Sequence, residues 1–409
     1  MTPAEYVLDL CDRIAACTDV AGTTTRLFLS PATQDVHALL RAEMHTLGLT
    51  TRVDSAGNLR GVYATGENAA PRTLLLGSHI DTVPNAGRFD GILGVAVPLA
   101  LVRMLDGRRL PFAIEVIAFS EEEGVRFRLP FLGSRALVGT LEAATLARTD
   151  ADGISVAQAL CEFGLDPAQL ADAALTPGTF AFVEVHIEQG PVLESLALPL
   201  GIVTSIVGQT RFELTFTGQA NHAGTTPMHL RQDALAAAAE FCIATEAFAR
   251  ASPPLVATVG ILRAEPGAAN IIPGTATCSL DVRHPDDTAR VAAGQQMLAA
   301  AALAASLRNV HLSARETSTQ ASVPMDAALQ AALQTAAARA GWTPHAMPSG
   351  AGHDAMILAA KVPSAMLFLR TPRGISHHPS EAVLLPDVEA ALATCLHLLE
   401  SLEKAQSST

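Results

Sequence analysis

The sequence predicts an α/β fold with a mixed sheet, interrupted by a smaller α+β unit. Three observations predict it: short continuously apolar runs bounded by turn residues, helical patterns between those runs, and a middle region whose strands alternate between apolar and polar residues. Continuous hydrophobicity is typical of strands covered by helices on both faces, whereas alternation is typical of strands with one face in water. We therefore expect two units of different architecture.

The apolar runs mark the larger unit. Helical patterns cover residues 34–47 and 93–105. The predicted buried strands are residues 73–78, 113–120, 180–185 and 362–369. Because strands that alternate with helices form α/β units, residues 1–207 and 323–409 are assigned to one domain.

The middle of the chain, residues 208–322, follows the order β-α-β-β-α-β. Its predicted strands are residues 210–217, 255–262, 275–283 and 310–316, and its alanine-rich helices are residues 231–249 and 286–306. This order is typical of a ferredoxin-like sandwich. We expect an inserted α+β domain with two crossings from the larger domain, and fraying of the last five residues, AQSST.

Composition excludes several classes of protein. The chain has 409 residues, with 27 Lys plus Arg against 40 Asp plus Glu and a net charge of −13, which argues against a nucleic-acid partner. No apolar run reaches the roughly 18 residues that span a bilayer, and the first residues are acidic where a signal peptide is basic. We expect a cytoplasmic protein with no membrane segment. The six cysteines form no CxxC pair, which argues against a disulfide framework or a thiolate zinc site.

The first chemical motif follows the strand predicted at residues 73–78. It reads GSHIDT at residues 77–82 and continues with GRFDG at residues 87–91. His79 offers an imidazole ligand, Asp81 a carboxylate that can orient it, and Asp90 a carboxylate that could bridge two metals. A loop histidine hydrogen-bonded to a neighbouring aspartate is the simpler alternative for this motif alone.

Further candidate ligands follow the other predicted strands. Glu121, Glu122 and Glu123 come together after residues 113–120, and His186 and His377 lie at or just after the ends of the last two runs. Adjacent carboxylates repel one another unless a cation neutralises them, although a solvated acidic turn remains an alternative. A single histidine at the end of a strand usually has a structural role, but three of them beside clustered carboxylates are not easily explained in that way. This nitrogen and oxygen donor set suits Zn²⁺, Mn²⁺ or Co²⁺.

Seven ordered motifs give the chain a family resemblance. They are GSHIDT, RFDG, EEEGVRF, EVHIEQG, QANHAGTTPM, SGAGHDA and GISHHPSE, preceded by TRLFLSPAT at residues 25–33. Together they closely resemble the carbamoylase and allantoate amidohydrolase branch of the di-metal metallopeptidase-like amidohydrolases. The resemblance implies a di-metal aminopeptidase-like catalytic domain with a mixed sheet, and an inserted ferredoxin-like lid and dimerisation domain. It also implies two divalent metal ions per subunit, Zn or Mn, with Co or Ni as alternatives.

The resemblance also assigns the metal ligands. Asp90 would bridge the two metals, His79 and His186 would complete one site, and Glu123 and His377 would complete the other. Peptidase relatives carry an acidic ligand where this chain has His186, which places the chain with the ureido and carbamoyl hydrolases.

Two adjacent-residue ambiguities concern these motifs. The family's general base precedes the ligand glutamate, so Glu122 is assigned over Glu121 from the E-E-G ending. His377 is assigned over His378 because it directly follows Ile-Ser. Asp81 is counted with the catalytic residues, and it would contact the metal ligands without binding a metal itself.

Substrate recognition in the family implies five further residues: Gln189, His222, Asn270, Arg283 and the backbone at Gly352. A planar guanidinium such as that of Arg283 can hold a substrate carboxylate through two hydrogen bonds, although a surface ion pair is the plainer alternative. In the family, the histidine equivalent to His222 reaches into the active site of the other subunit, where it can stabilise an oxyanion. A homodimer is therefore implied.

The implied reaction is hydrolysis of a ureido C–N bond, with Glu122 taking a proton from the attacking water and returning it to the leaving nitrogen. Allantoate is the favoured substrate, giving ureidoglycine or ureidoglycolate, ammonia and CO₂ in purine catabolism. Allantoate is favoured over a carbamoyl amino acid because many carbamoylases have an asparagine where this chain has Glu121. The alternatives are an N-carbamoyl-L-amino acid, ureidoglycolate or β-ureidopropionate as substrate, a dipeptidase or aminoacylase activity, and a non-catalytic binding protein.

Overall fold

A computed structural model describes residues 1–66 and 72–407. Its helices are α1 Pro3–Ala15, α2 Pro31–Thr46, α3 Ile92–Met104, α4 Leu132–Leu137, α5 Val156–Glu162, α6 Val192–Ser195, α7 Ala234–Arg250, α8 Asp287–Ser306, α9 Ala327–Arg339, α10 Asp354–Leu358 and α11 Leu385–Ser407. Its strands are β1 Thr50–Val53, β2 Leu59–Tyr63, β3 Thr73–His79, β4 Ala113–Phe119, β5 Thr179–Ile187, β6 Leu200–Ile206, β7 Gly208–Thr217, β8 Asn221–His222, β9 Val256–Thr258, β10 Leu262–Glu265, β11 Ile271–Ile272, β12 Thr275–His284, β13 His311–Gln320, β14 Val323–Pro324, β15 His345–Ser349 and β16 Ser364–Leu369. Short 3₁₀ helices occupy Ala143–Ala147, Pro167–Ala173, Met228–Leu230 and Pro372–Gly374.

The described chain divides into two compact units. One comprises Met1–Thr204 with Met325–Thr409, and the other is Ser205–Pro324. The sequence analysis places the two crossings at residues 207/208 and 322/323, two to three residues from these divisions. The second unit is therefore inserted into the first along the chain.

The larger unit is built on a mixed sheet, which confirms the predicted α/β class. The strands run in the order β1-β2-β4-β3-β5-β16-β6, and β15 also pairs with β6. Strands β4, β3, β5 and β16 are mutually parallel, whereas β2 and β6 pair antiparallel with the ends of that group. All seven residues of β3 and of β4 are buried, as their continuous hydrophobicity predicts.

The core of this unit lies between the sheet and its helices. Helix α3 is buried through residues Ile92–Val102 and packs on β3 and β5, and α1, α9 and α11 contribute further apolar side chains. Helix α1 begins with a capping box between Thr2 and Glu5, and α2 begins with Pro31, which suits the first helical position. These helices hold the parallel strands in place.

The inserted unit is an α+β sandwich. Its antiparallel sheet has the order β10-β12-β7-β13, with β9 also paired to β12, and α7 and α8 pack against β7 and β12. Taking β9 and β10 as the second strand of the predicted pattern, this order is 4-1-3-2, the ferredoxin-like arrangement. Its own core includes Leu214, Phe216, Phe241 and Leu280.

The structure corrects some predicted element boundaries. The single strand expected at residues 255–262 is wrong, because β9 pairs with β12 near Arg283 and β10 pairs with it near Cys278, with Gly260 between them. Strand β13 runs four residues beyond the predicted end, past a bulge between Glu316 and Ser318. Helix α11 is described through Ser407 and so includes the first three residues of AQSST, and residues 408–409 lie outside the described chain. No helix in the described ranges is long and apolar enough to cross a membrane.

Candidate metal centre

The carboxyl ends of four parallel strands bring the predicted ligands to one edge of the sheet. His79 is the last residue of β3, Glu121–Glu123 follow β4, and His186 is the penultimate residue of β5. His377 follows β16 after a short 3₁₀ helix. Parallel neighbours end at the same edge, which is where open α/β sheets bind ligands.

Asp90 lies between two sets of these side chains. Its Oδ1 is 3.7 Å from His79 Nε2 and 3.2 Å from His186 Nε2. Its Oδ2 is 3.2 Å from His377 Nε2, and that nitrogen is 3.5 Å from Glu123 Oε1. One carboxylate thus faces two histidines with one oxygen, and a histidine and a glutamate with the other.

The buried polar atoms of this cluster fit a cation. The Nδ1 atoms of His79 and His186 lie 3.0 Å and 2.9 Å from the carbonyl oxygens of Asp81 and Ile187, which assigns the proton to Nδ1. Both Nε2 atoms then lie near Asp90 Oδ1, and that of His186 also accepts the backbone N–H of Gly91 at 3.2 Å. Within the described chain that oxygen is buried and receives no hydrogen bond of normal geometry. A divalent cation held between these atoms would satisfy that oxygen, and imidazole and carboxylate donors suit Zn²⁺ or Mn²⁺.

Besides Glu184 with His186 and His353, three groups of described side chains bring their donor atoms within 4.8 Å of one another. They are His79 with Asp90 and His186, Asp90 with Glu123 and His377, and His79 with Glu122 and Glu123. The structure therefore brings together all five residues that the sequence predicts as ligands. It also places Glu122, not Glu121, among them.

Asp81 connects the ends of β3 and β4. Its Oδ1 accepts the backbone N–H of Glu122 at 2.9 Å, and its Oδ2 accepts the backbone N–H of Glu123 at 3.0 Å. The sequence predicts that the Asp81 carboxylate orients His79, but the Asp81 carbonyl makes the shorter contact with Nδ1, at 3.0 Å against 3.4 Å. The carboxylate also fixes the turn that carries the two glutamates.

The glutamates at this turn are buried. Burial raises the pKa of Glu122 well above its ordinary value, the positive field of His79 opposes this, and the negative charges of Glu123 and Asp354 add to it. Burial also raises the pKa of Glu123 to about 7, helped by the charge of Asp90. A carboxyl with a raised pKa is suited to accept and return a proton near neutral pH.

The histidines and Asp90 stabilise one another electrostatically. Burial alone would raise the pKa of Asp90, but contacts with His186, His377 and His79 hold it well below its usual range. The hydrogen bond to Asp90 raises the pKa of His377 to about 9, although burial opposes this. Asp90 is therefore the negative centre of the cluster.

The loop that carries Asp90 depends on Gly91. This residue has a φ of 68°, and a Cβ atom built on it lies 2.5 Å from the ring of His79. An L side chain is disfavoured at such a φ, and the imidazole fills the space that a side chain needs. Glycine thus lets the start of α3 approach the His79 ligand.

Two residues that sequence reasoning missed hold the same loop. Glu381 Oε1 accepts the backbone N–H groups of Phe89 and Asp90 at 2.8 Å and 3.0 Å. Ser376 Oγ donates to Asp90 Oδ2 at 3.1 Å. Both lie in the GISHHPSE motif that supplies His377, so the signal was present, but no local pattern indicates which loop they contact.

Gln189 lies at the centre but touches a ligand in this structure. Its Nε2 donates to Asp90 Oδ2 at 2.9 Å and lies 3.4 Å from His377 Nε2. Its backbone has a φ of 57° and its N–H donates to Thr371 Oγ1. The amide predicted to bind substrate therefore holds the carboxylate of Asp90 in this structure.

The SGAGHDA segment supports His186 from the other side. The ring of His353 is 4.5 Å from that of His186, and Ser349 Oγ is 2.9 Å from His353 Nε2. Glu184 accepts hydrogen bonds from Ser78 and from the backbone of Ala355. Gly352, predicted to bind substrate through its backbone, directly precedes His353. The roles of Glu184 and His353 were missed because each looks like a buried strand or loop residue in sequence.

The remaining predicted residues lie elsewhere. His378 is exposed, and its Nδ1 accepts the N–H of Ser380 rather than facing Asp90. In the inserted unit, His222 and Asn270 are neighbours, because Ile271 pairs with His222 and the Ala223 N–H donates to the Asn270 carbonyl. Arg283, on β12, donates to Asp281.

Comparison with known proteins places this geometry among known hydrolases. Residues 75–401 match the family described as peptidase family M20/M25/M40. The chain is 39% identical to an N-carbamoyl-L-amino acid amidohydrolase of Geobacillus stearothermophilus, over 94% of this chain and 95% of the relative. It is also 39% identical to an allantoate deiminase of Arabidopsis thaliana, over 94% of this chain and 79% of the relative. A solved hydantoinase/carbamoylase family amidase from Burkholderia multivorans superposes with a TM-score of 0.90 at 32% identity, covering 97% of both chains.

Proposed function

The chain belongs to peptidase family M20/M25/M40, and from that premise we propose that it is a metal-dependent amidohydrolase that hydrolyses the carbamoyl C–N bond of a small ureido acid. The family resemblance predicted from the seven motifs is confirmed, as is the peptidase-like α/β fold. Relatives at 39% identity are named as an amidohydrolase and a deiminase, which makes this a hydrolase of C–N bonds other than peptide bonds.

One observation carries the proposal: Asp90 faces two separate donor sets, with Glu122 beside both. His79 and His186 with one oxygen of Asp90 would hold one divalent ion. Glu123 and His377 with the other oxygen would hold a second. Zn²⁺ and Mn²⁺ are the proposed metals, because both accept nitrogen and oxygen donors, and Co²⁺ and Ni²⁺ are alternatives.

The chain's own residues supply the proton chemistry. Bound divalent metals would lower the pKa of water from 15.7 toward about 7. Glu122 would accept the proton of the attacking water, because its carboxyl is buried and its backbone is held by Asp81. Glu122 would then return that proton to the leaving nitrogen, which releases ammonia and leaves a carbamate that yields CO₂.

Substrate binding is proposed to use residues of both units. Gln189 and the backbone at Gly352 belong to the larger unit, and His222, Asn270 and Arg283 to the inserted unit. His222 would donate to the developing oxyanion and Arg283 would bind the substrate carboxylate.

A homodimer joined through the inserted unit is also proposed. Several apolar side chains of that unit are exposed, with Ile243 of α7 at 71%, Leu303 of α8 at 61% and Leu307 at 67%. Strand β13 lies at the edge of its sheet. Exposed apolar side chains and an unpaired edge strand both favour association, which light scattering on the wild type and an Ile243→Glu variant can measure.

Allantoate is the preferred substrate in this proposal, and an N-carbamoyl-L-amino acid is the second candidate, with ureidoglycolate and β-ureidopropionate behind them. The relatives named for the first two substrates match the chain at equal identity. Glu121 favours allantoate, since many carbamoylases have an asparagine at that position.

The test is product analysis on a substrate panel. The metal-loaded protein would receive allantoate, N-carbamoyl-L-amino acids, a dipeptide and an N-acyl amino acid. Ammonia from allantoate supports the first proposal, and ammonia from carbamoyl amino acids alone replaces the substrate. An amino acid released without ammonia would indicate a peptidase or aminoacylase, and ligand binding without turnover would indicate a non-catalytic binding protein.

A further inference from the structure

We infer that Asp281 is a positioning residue that fixes the guanidinium of Arg283 and thereby sets the preference for substrates that carry a carboxylate. The inference rests on the proposed function, in which Arg283 binds that carboxylate. Asp281 itself would not touch the substrate.

The register of two strands places four polar side chains on one face of the inserted sheet. Asp281 pairs with Arg211, and Arg283 pairs with Gln209. The alternate residues on these strands, such as Thr210 and Val282, are buried on the face that packs against the helices. The four polar side chains therefore lie together on the face away from α7 and α8.

Asp281 is the acceptor at the centre of this group. Arg283 donates through Nε to Oδ1 at 3.0 Å and through Nη2 to Oδ2 at 3.1 Å, a paired contact along one edge of the guanidinium. Arg211 Nε and Gln209 Nε2 also donate to Oδ2, at 2.9 Å and 2.6 Å. Two side chains of the neighbouring strand β7 thus hold the carboxylate that holds Arg283.

Such an arrangement is unusual for a simple surface ion pair. Burial raises the pKa of Asp281, but contacts with Arg283 and Arg211 more than offset this and lower it overall, so the group stays ionised. A guanidinium is planar and carries five N–H donors, and holding one edge fixes the direction of the rest. A long side chain held in advance loses less rotamer freedom when it binds an anion.

Charge and positioning predict opposite effects when Asp281 loses its charge. Asp281→Asn makes the face more positive, so charge alone predicts tighter binding of a carboxylate. Positioning predicts weaker binding, because an amide cannot accept from both Nε and Nη2 of Arg283. The sign of the change in KM therefore separates the two accounts.

The experiment uses the full-length, metal-loaded enzyme. Allantoate and N-carbamoylglycine are each compared with the corresponding carboxamide, which keeps the ureido group and removes the charge. For Asp281→Asn we expect KM for the acids to rise about tenfold, with a much smaller change in kcat, and the acid-to-amide ratio of kcat/KM to fall about tenfold. Asp281→Glu keeps the charge but moves it by one methylene, so it should restore part of the ratio and gives a second variant if the asparagine variant folds poorly.

Glu213→Gln is the matched control. Glu213 lies on the same face of β7, two residues from Arg211, and pairs with the exposed Arg315 at 3.2 Å. Removing its charge changes the field of the face without touching Arg283, so the ratio should stay within about twofold of the wild type.

The outcomes separate this inference from the proposed function. A KM for the acids that falls or stays unchanged in Asp281→Asn overturns the positioning role. If Arg283→Ala also leaves the acid-to-amide ratio unchanged, the carboxylate role of Arg283 itself fails. No ammonia from any of the four compounds with the wild type contradicts the proposed function.

Discussion

The carboxylate of Asp81 accepts the backbone N–H of Glu122 at 2.9 Å, which ties the end of β3 to the turn that follows β4. Its second oxygen accepts the N–H of Glu123 at 3.0 Å. The residue two positions after the His79 ligand therefore fixes the backbone of both the proposed base and a proposed ligand. This link gives the first prediction.

Asp81→Asn should lower kcat by about 10- to 100-fold, as is typical when a residue that orients metal ligands is removed. An asparagine can accept one of the two N–H groups but presents an N–H to the other. Steady-state kinetics with metal content measured in parallel would check this. Turnover within twofold of the wild type would show that the turn does not need Asp81.

Glu122→Gln should retain metal but lose at least about 100-fold in turnover, because the amide cannot accept the proton of water. Glu121→Gln is the matched control, since Glu121 is adjacent and also buried but lies outside the ligand groups. We expect the control to retain far more activity. Equal losses in both variants would contradict the assignment of Glu122 as base.

The number of metal ions bound per chain should depend on the two groups of ligands that lie on either side of Asp90. The wild type should bind about two divalent ions per chain, and His377→Ala about one, because the His79 and His186 side remains intact. Asp90→Asn should weaken both sites. Elemental analysis after dialysis measures this, and His378→Ala serves as the control because its side chain faces away from Asp90. Two tightly held ions in His377→Ala would contradict the ligand assignment.

Gly91→Ala should disturb the His79 ligand. Its φ of 68° and the 2.5 Å approach of a built Cβ to the imidazole mean that the loop or the ring must move. We expect weaker metal binding and a loss of at least about 1 kcal/mol in stability. Gly107→Ala is a control that separates strain from crowding, because its φ is 81° and a Cβ there meets no atom within 4 Å. If both variants bind metal alike, close contact with His79 is unimportant.

His37 predicts part of the acid sensitivity of the fold. Burial, with the charges of Arg41 and Arg26, lowers its pKa from 6.5 to about 4. Because the folded pKa is depressed, the unfolded chain binds the proton first as pH falls, so stability is fully present above about pH 6.5 and is lost toward pH 4. This one group should cost about 2 kcal/mol between pH 8 and pH 5.

Denaturant unfolding at pH 8 and pH 5 measures that loss. His37→Leu should lose less stability between the two pH values than the wild type, whatever its stability at pH 8. An exposed histidine variant, His229→Leu, should show the same pH-dependent loss as the wild type. A His37→Leu protein with an unchanged loss would exclude this contribution.

Sequence patterns predicted the parts of the fold that depend on local composition. Continuous apolar runs predicted β3, β4, β5 and β16, because strands buried on both faces admit few polar residues. The run at residues 255–262 misled because the break between β9 and β10 is set by pairing with β12, which local hydrophobicity does not encode.

The site divides in the same way. The positions of the motifs after strands predicted that the candidate residues meet at one edge of the sheet, since parallel strands end together, whereas the family resemblance assigned the five ligands and Glu122 among them. Glu381 and Asp281 were missed because each acts through contacts with residues distant in sequence or on a neighbouring strand. Asp81 was found together with its contact to His79, but its hydrogen bonds to the backbone of Glu122 and Glu123 were not predicted, because those residues lie about forty positions away in sequence.

The central claim is tested most directly by titrating the metal-free protein with Mn²⁺ or Zn²⁺ while measuring ammonia release from allantoate and N-carbamoyl amino acids. The account predicts that activity appears as the chain approaches about two bound ions, that chelation removes it, and that Glu122→Gln binds the same metal without releasing ammonia. Ammonia release that is independent of bound metal, or is retained in Glu122→Gln at full metal content, would contradict it.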